Sequence, residues 1–280
     1  MFKTPQEIRK RIYSCKTSFI LYNKLNPILT DIRPTFLNHN SPANVVYHFP
    51  LVKSKHDYDL YFYFENNYRF YNEGPSGYKI RKQRHFLVDV QDENHLKTLV
   101  AKKIDSFSFH TSLSNPFLLK TREKSILELK KDFQKMFHIL KPFPHMYKKL
   151  TISCVNECPF NGLLDPVYVV REILDYHRYD FTEICLCDTT GSLSWDHFEY
   201  IVQYCIFFGI HPSKLSFQFQ ISPETREIVQ KMITYALKMG IHKFDVSDSF
   251  PDTEKQTLSY YFFYQLLEKI ISDQIPKQLD

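Results

Sequence analysis

Glycine is scarce in this chain, with 6 residues in 280 against 25 phenylalanines and 19 tyrosines. That scarcity argues against a site built on a glycine-rich phosphate loop, and neither Gly-x-Gly-x-x-Gly nor Gly-Lys-Ser/Thr occurs. The Gly-x-Ser-x-Gly turn of a nucleophilic serine is also missing. Charge is equally undramatic: the net value is +5 and the basic residues are dispersed apart from 79–84 and Lys148-Lys149, so nucleic-acid binding is not indicated. No apolar run reaches the roughly 18 residues a membrane span needs, and the aromatic patches at 58–64 and 260–264 are broken or too short. The six cysteines come without a secretory signal, which leads us to expect reduced thiols and a cytoplasmic location. A mitochondrial alternative comes from Lys3, Arg9, Lys10, Arg11, Lys16 and Lys24 facing the single acid Glu7, although an ordinary basic first helix accounts for them.

What is present is rhythm. From about residue 84, short runs of β-branched and aromatic residues alternate with helical patterns. Strands are expected at 85–90, 104–110, 150–155, 183–187, 215–220 and 241–246. The expected helices are 93–102, 123–140, one opened by Asp165-Pro166, one capped by Ser194 and ended at Gly209, 223–239 and 253–272. Six strand–helix units imply a parallel sheet with crossover helices, either doubly wound or a (β/α)8 barrel. Residues 18–22, 45–49 and 58–64 supply candidate strands to complete eight, in a part kept irregular by Pro34, Pro42, Pro50 and the turn-like 72–75.

In either architecture ligands bind at the C-terminal ends of strands. The residues to weigh there are Asp89, His110, Cys154, Cys158, Cys187, Asp188, Thr189, Gln218, Gln220, Asp245 and Ser247. Alternation aims Gln218 and Gln220 at one side of their strand. Asp188 and Thr189, followed by Gly191, suit a binding loop or an Asx-type turn. Cys158 beside a histidine such as His110 is a candidate nucleophile, set against a packing role. Cys154 and Cys158 with Cys185 and Cys187 form a conceivable four-thiolate zinc set, though the spacing is not the usual paired knuckle.

The stretch Leu150-Thr-Ile-Ser-Cys-Val-Asn-Glu-Cys-Pro-Phe-Asn-Gly162 resembles the fifth-strand region of hydroxymethylglutaryl-CoA lyases, with their Ser-Cys-Val-x-x-Cys-Pro-aromatic-x-Gly signature. Glu183-Ile-Cys-Leu-Cys-Asp-Thr-Thr-Gly191 is similar to the family's Gly-Asp-Thr-x-Gly segment at the following strand, with Cys187 replacing the glycine. Residues 107–117 and the segments Met239-Gly240-Ile241 and Asp245-Val246-Ser247 are similar to neighbouring units. The resemblance spans about residues 84–270. It implies a TIM-type (β/α)8 barrel in which 84–280 forms the lyase-like units and 1–83 is a divergent N-terminal part carrying the first barrel strands.

The resemblance also implies a divalent cation, Mg or Mn, held by an aspartate after an arginine near the first strand, a His-x-His pair and an asparagine. This chain has no Arg-Asp-Gly-Leu-Gln; the His-x-His pair aligns with Gln218 and Gln220, and the asparagine falls near Thr257. The family's Gly-Gly-Cys-Pro loop, with its catalytic cysteine, corresponds to Ser249-Phe250-Pro251-Asp252. Neutral amides supply neither the imidazole nitrogens nor the charge that such a site requires. The expectation is a catalytically degenerate lyase-like barrel with no metal cofactor. Asp188, Thr189, Gln218 and Gln220 would hydrogen-bond a small-molecule ligand or a protein partner. The alternative is an active carbon–carbon lyase or other enzyme using a rearranged site, with Cys158 and Asp188 as catalytic candidates.

Overall fold

The computed structural model describes residues 86–247 continuously, together with 18–22, 45–49, 52–55, 57–59, 61–62, 70–73, 80–83, 256–257, 263, 265–266 and 269. Eight strands form a closed barrel: β1 (Ser18–Tyr22), β2 (Val45–Phe49), β3 (Phe86–Asp89), β4 (Ser106–Ser112), β5 (Tyr147–Ser153), β6 (Glu183–Cys187), β7 (Leu215–Gln218) and β8 (Lys243–Ser247). Every barrel pairing is parallel, and β1 closes the ring by pairing with β2 on one side and β8 on the other. The expected (β/α)8 barrel is the architecture observed. Its first two strands come from the N-terminal 83 residues.

The connecting helices begin where short polar side chains can satisfy their first amides. They are α1 (Glu93–Ala101), α2 (Asn115–Arg122), α3 (Ile126–Leu140), α4 (Pro166–His177), α5 (Trp195–Phe207) and α6 (Arg226–Lys238). Asp92, Ser114, Ser125, Asp165 and Ser194 cap the first five, and Ser125 with Glu128 makes a reciprocal capping box. Just beyond α5 and α6 lie Gly209 and Gly240, at φ +96° and +85°, a left-handed turn that a side chain would strain.

Four sequence expectations give way. Residues 58–64 read as a strand, yet 55, 57–59 and 61–62 are helical; Ser54 and Asp57 cap this segment by exchanging backbone-to-side-chain hydrogen bonds of 2.7 and 3.1 Å. No helix is expected between the strand at 104–110 and the helix at 123–140, yet Asn115–Arg122 forms α2, stopped by Glu123 in the left-handed region at φ +56°. The helix expected from 223 starts a turn later, because Ser222 and Thr225 bond each other first (Ser222 N to Thr225 Oγ1, 2.9 Å; Thr225 N to Ser222 Oγ, 3.3 Å). Gln256–Thr257, expected within the last helix, is a strand paired with Gln220–Ile221. The chain also makes two further antiparallel ladders, Phe70–Glu73 with Ile80–Gln83 and Glu157–Cys158 with Gly162–Leu163.

The aromatic surplus fills the layer between barrel and helices. Phe109, Phe133, Phe137, Tyr176, Tyr179 and Phe181 interlock with ring centroids 4.7–6.5 Å apart. A second set joins Trp195 and Phe198 of α5 to Phe217 of β7, Phe219 just beyond it and Tyr235 of α6.

The barrel interior is polar instead. Lys149 of β5 is completely buried and crosses to β8, where its Nζ donates to both Asp245 oxygens at 2.6 and 2.7 Å. Glu183 of β6, equally buried, lies 3.3 Å from both Lys149 and Lys243, accepts from Ser216 Oγ at 2.7 Å and is hydrogen-bonded by Tyr147. Two cations and two carboxylates therefore cancel inside the ring. Burial would raise Glu183, but Lys149 and Lys243 outweigh it and hold its carboxyl near about 2; at Asp245 burial wins over Lys149 and the group is raised. Lys148, the other half of the basic pair read from the sequence, is also buried and pairs with Asp180 at 3.2 Å. Neither lysine belongs to a surface patch.

Candidate functional site at the barrel mouth

Register fixes the rim. Cys187 of β6, Gln218 of β7 and Asp245 of β8 are level neighbours. Phe217 and Phe219 stack on each other at 5.5 Å and pack against Phe198 on the outside. Alternation then turns the half-buried Gln218 and Gln220 to the opposite, barrel-facing side. The strand breaks at Phe219, so Gln220 starts a new ladder in which its partner is Thr257. The two positions that the lyase resemblance sets against a His-x-His pair therefore lie on one side of this strand end. The segment Ser249-Phe250-Pro251-Asp252 lies outside the described residues.

Asp188 and Thr189 follow β6 directly. Asp188 is buried, its amide donates to the Gln218 carbonyl at 2.9 Å, and its Oδ1 accepts from Ser192 N at 3.2 Å, which holds the turn. Thr189 Oγ1 accepts from Cys154 N at 2.7 Å and donates to the Cys187 carbonyl at 3.5 Å. Its hydroxyl therefore ties the end of β5 to the end of β6. Cys154 sits at φ +61°, a conformation costly for a residue with a side chain, and this tie helps hold it there.

Cys158 is buried in the rim loop. Its Sγ accepts from Ser114 Oγ at 2.9 Å and from Phe160 N at 3.3 Å. Burial pushes the thiol up, but these hydrogen bonds and one from Asn161 outweigh it and set Cys158 below its ordinary value. His110 does not join Cys158; its Nε2 lies 2.7 Å from Asp89 Oδ1 and 3.1 Å from Ser108 Oγ, forming a separate dyad on β3 and β4. At Arg122, ending α2, burial lowers the guanidinium and the nearby Asp89 carboxylate opposes that shift.

The four-thiolate set is not assembled. Cys185 Sγ donates into the interior, to Asp245 Oδ2 at 3.2 Å. Asp245 itself, weighed as a strand-end residue and level with Gln218, is spent on Lys149. Sequence reasoning missed Ser114, Lys149 and Glu183. A lysine and an acid at strand centres were the available signal, since charges there are costly unless they meet a partner.

No family model matches the chain, and no curated protein sequence matches it. Solved structures do. A Bacillus subtilis hydroxymethylglutaryl-CoA lyase superposes with a TM-score of 0.66 at 17% identity, covering 92% of this chain and 91% of that one. This chain has the fold of the hydroxymethylglutaryl-CoA lyases. An Acinetobacter baumannii lyase, solved with coenzyme A and 3-methylmalate, gives 0.65 at 16% identity, with 91% and 84% covered. The carboxyl transferase domain of Rhizobium etli pyruvate carboxylase gives 0.56 at 10%, with 92% of this chain and 45% of that one.

The divalent cation implied by the lyase resemblance needs charged and imidazole donors. Amides stand at the two corresponding positions of this lyase-like barrel, and among the described residues no three His, Cys, Asp or Glu side chains are placed to hold a metal ion. Among the described residues, the donors do not fit the cation. No described helix of the lyase-like barrel is long and apolar enough to cross a membrane.

Proposed function

We propose that this lyase-like barrel binds a small polar molecule at its mouth and does not perform metal-dependent carbon–carbon cleavage. What supports the reading is the half-buried pair Gln218 and Gln220 at the end of β7, set to one side by strand alternation, with Gln220 laddered to Thr257. Each amide offers a donor and an acceptor, so the pair suits a hydroxyl, carbonyl or carboxylate group. Cleavage of the lyase type develops an enolate that a cation stabilises, and amides provide no comparable charge. Because the Acinetobacter lyase was solved with coenzyme A and 3-methylmalate, acyl-CoA thioesters and small hydroxy acids are the first ligands to try. Protein docking at the same rim is the other form of a binding role.

The decisive assay is acetoacetate release from hydroxymethylglutaryl-CoA with Mg²⁺ or Mn²⁺. We expect none, together with calorimetric binding that is lost in Gln218→Ala; robust metal-dependent turnover would overturn the reading.

A second reading, an enzyme with different chemistry, rests on the 2.7 Å contact between His110 and Asp89. A carboxylate can orient an imidazole, which is the arrangement of a general base. If any turnover is found, its loss in His110→Ala, with Asp188→Ala and Cys158→Ala as comparisons, identifies the group responsible.

A further inference from the structure

We propose that the groove between α5 and α6, in the helical layer outside the barrel, binds a nucleoside monophosphate: a flat ring joined to a single phosphate. This site is separate from the barrel mouth and stands whether or not the mouth holds a ligand.

The groove has a volume of about 440 Å³, which is the size of a small-ligand pocket. Its aromatic wall is made by Trp195, the first residue of α5, and Tyr235 of α6, whose rings meet edge to face with centroids 5.3 Å apart. Tyr235 is held in place, because Gln203 Nε2 donates to its hydroxyl at 3.1 Å. Two rings fixed in this way give a preset apolar corner, and a flat ring can pack there at little ordering cost.

The rest of the groove is cationic. Lys231 and Lys238 lie on one face of α6, two turns apart, and Lys269 lines the same groove. All three are exposed, so a ligand reaches them without opening the fold. Glu227 is the one carboxylate among the described lining residues. It precedes Lys231 by four residues, the spacing and order that pairs Glu93 with Lys97 at 2.7 Å on α1. Lys231 turns away from it: the Nζ sits over the indole ring, 3.6 Å from the centroid. Among the described residues Lys231, Lys238 and Lys269 make no ion pair, whereas Lys130, Lys148, Lys149, Lys214 and Lys243 each meet a carboxylate.

Three cations facing one carboxylate leave room for about two negative charges, which is what a phosphate monoester carries near neutral pH. A free phosphate supplies that charge but leaves the aromatic corner unfilled. A nucleoside fills the corner but leaves the lysines without an anion.

Trp195 is the only tryptophan of the chain, so its fluorescence reports from this groove alone. The full chain is titrated at low salt with adenosine monophosphate, adenosine and inorganic phosphate, and each affinity is checked by calorimetry. We expect a saturable fluorescence change with the nucleotide and binding about tenfold weaker for either fragment. Lys238→Ala and Lys269→Ala, both at exposed positions, should each weaken the nucleotide about threefold without shifting the melting temperature, and added salt should weaken it further. Gln218→Ala should leave it unchanged. The assignment is overturned by the lack of a saturable signal, by adenosine or inorganic phosphate binding as tightly as the nucleotide, by unchanged affinity in both lysine variants, or by loss of binding in Gln218→Ala, which would move the ligand to the mouth.

Discussion

The inside of the barrel and its mouth are built on opposite electrical principles. Inside the ring, Lys149, Lys243, Glu183 and Asp245 form ion pairs that span three strands. On β7, Gln218, level with Asp245, and Gln220 beyond it are neutral amides. Buried charges specify geometry strictly, since removing one strands its partner; amides tolerate many partners and demand none. The strict part thus lies where strands must register, and the permissive part at the end of β7.

The largest effect should follow from breaking the strict part. Lys149→Met leaves the buried Asp245 carboxylate without its cation, and we expect a loss of about 3–5 kcal/mol in denaturant unfolding. Lys149→Met with Asp245→Leu should recover most of it, and failure to recover would mean the interior charges act separately. Next is acid. Glu183 is held at about 2 in the fold against an ordinary 4.5, so its stabilisation is complete above about 4.5 and disappears as pH falls towards 2. Asp245, raised in the fold, works in the opposite sense, taking up a proton more readily folded than unfolded. A melting temperature that falls between pH 4.5 and 2 in the parent but is flat in Glu183→Gln would bear this out.

A smaller loss, about 1–3 kcal/mol, is expected for Thr189→Val, which deprives the Cys154 amide of its acceptor. The smallest is Gln218→Ala at the permissive rim, within about 1 kcal/mol of the parent. A Gln218→Ala variant as damaged as Lys149→Met would erase the contrast between the two layers.

How much of this was legible in the sequence follows from the same contrast. The six later strands stood out because their outward faces carry Phe, Ile and Leu beside polar turns, and capping residues such as Ser125 and Asp165 marked helix starts. Gln218 and Gln220 were readable as a pair because strand alternation is strictly twofold. Lys149 was not. An inward lysine has the same spacing as an outward one, and only the closed ring brings Asp245, 96 residues away, within reach of it. The helical segment around Tyr58 and Tyr61 was misread for a related reason: aromatic side chains suit strands locally, but here a Ser54–Asp57 cap decides the backbone.

The tie from Thr189 to Cys154 has a mechanical consequence. It clamps the tops of β5 and β6 together through a residue already held at φ +61°, so that side of the rim resists deformation. The neighbouring Asp188 amide carries the bracing on to β7 by donating to the Gln218 carbonyl at 2.9 Å. The tops of β5, β6 and β7 are therefore pinned as one arc, which Gln220 leaves for its two-residue ladder with Gln256–Thr257.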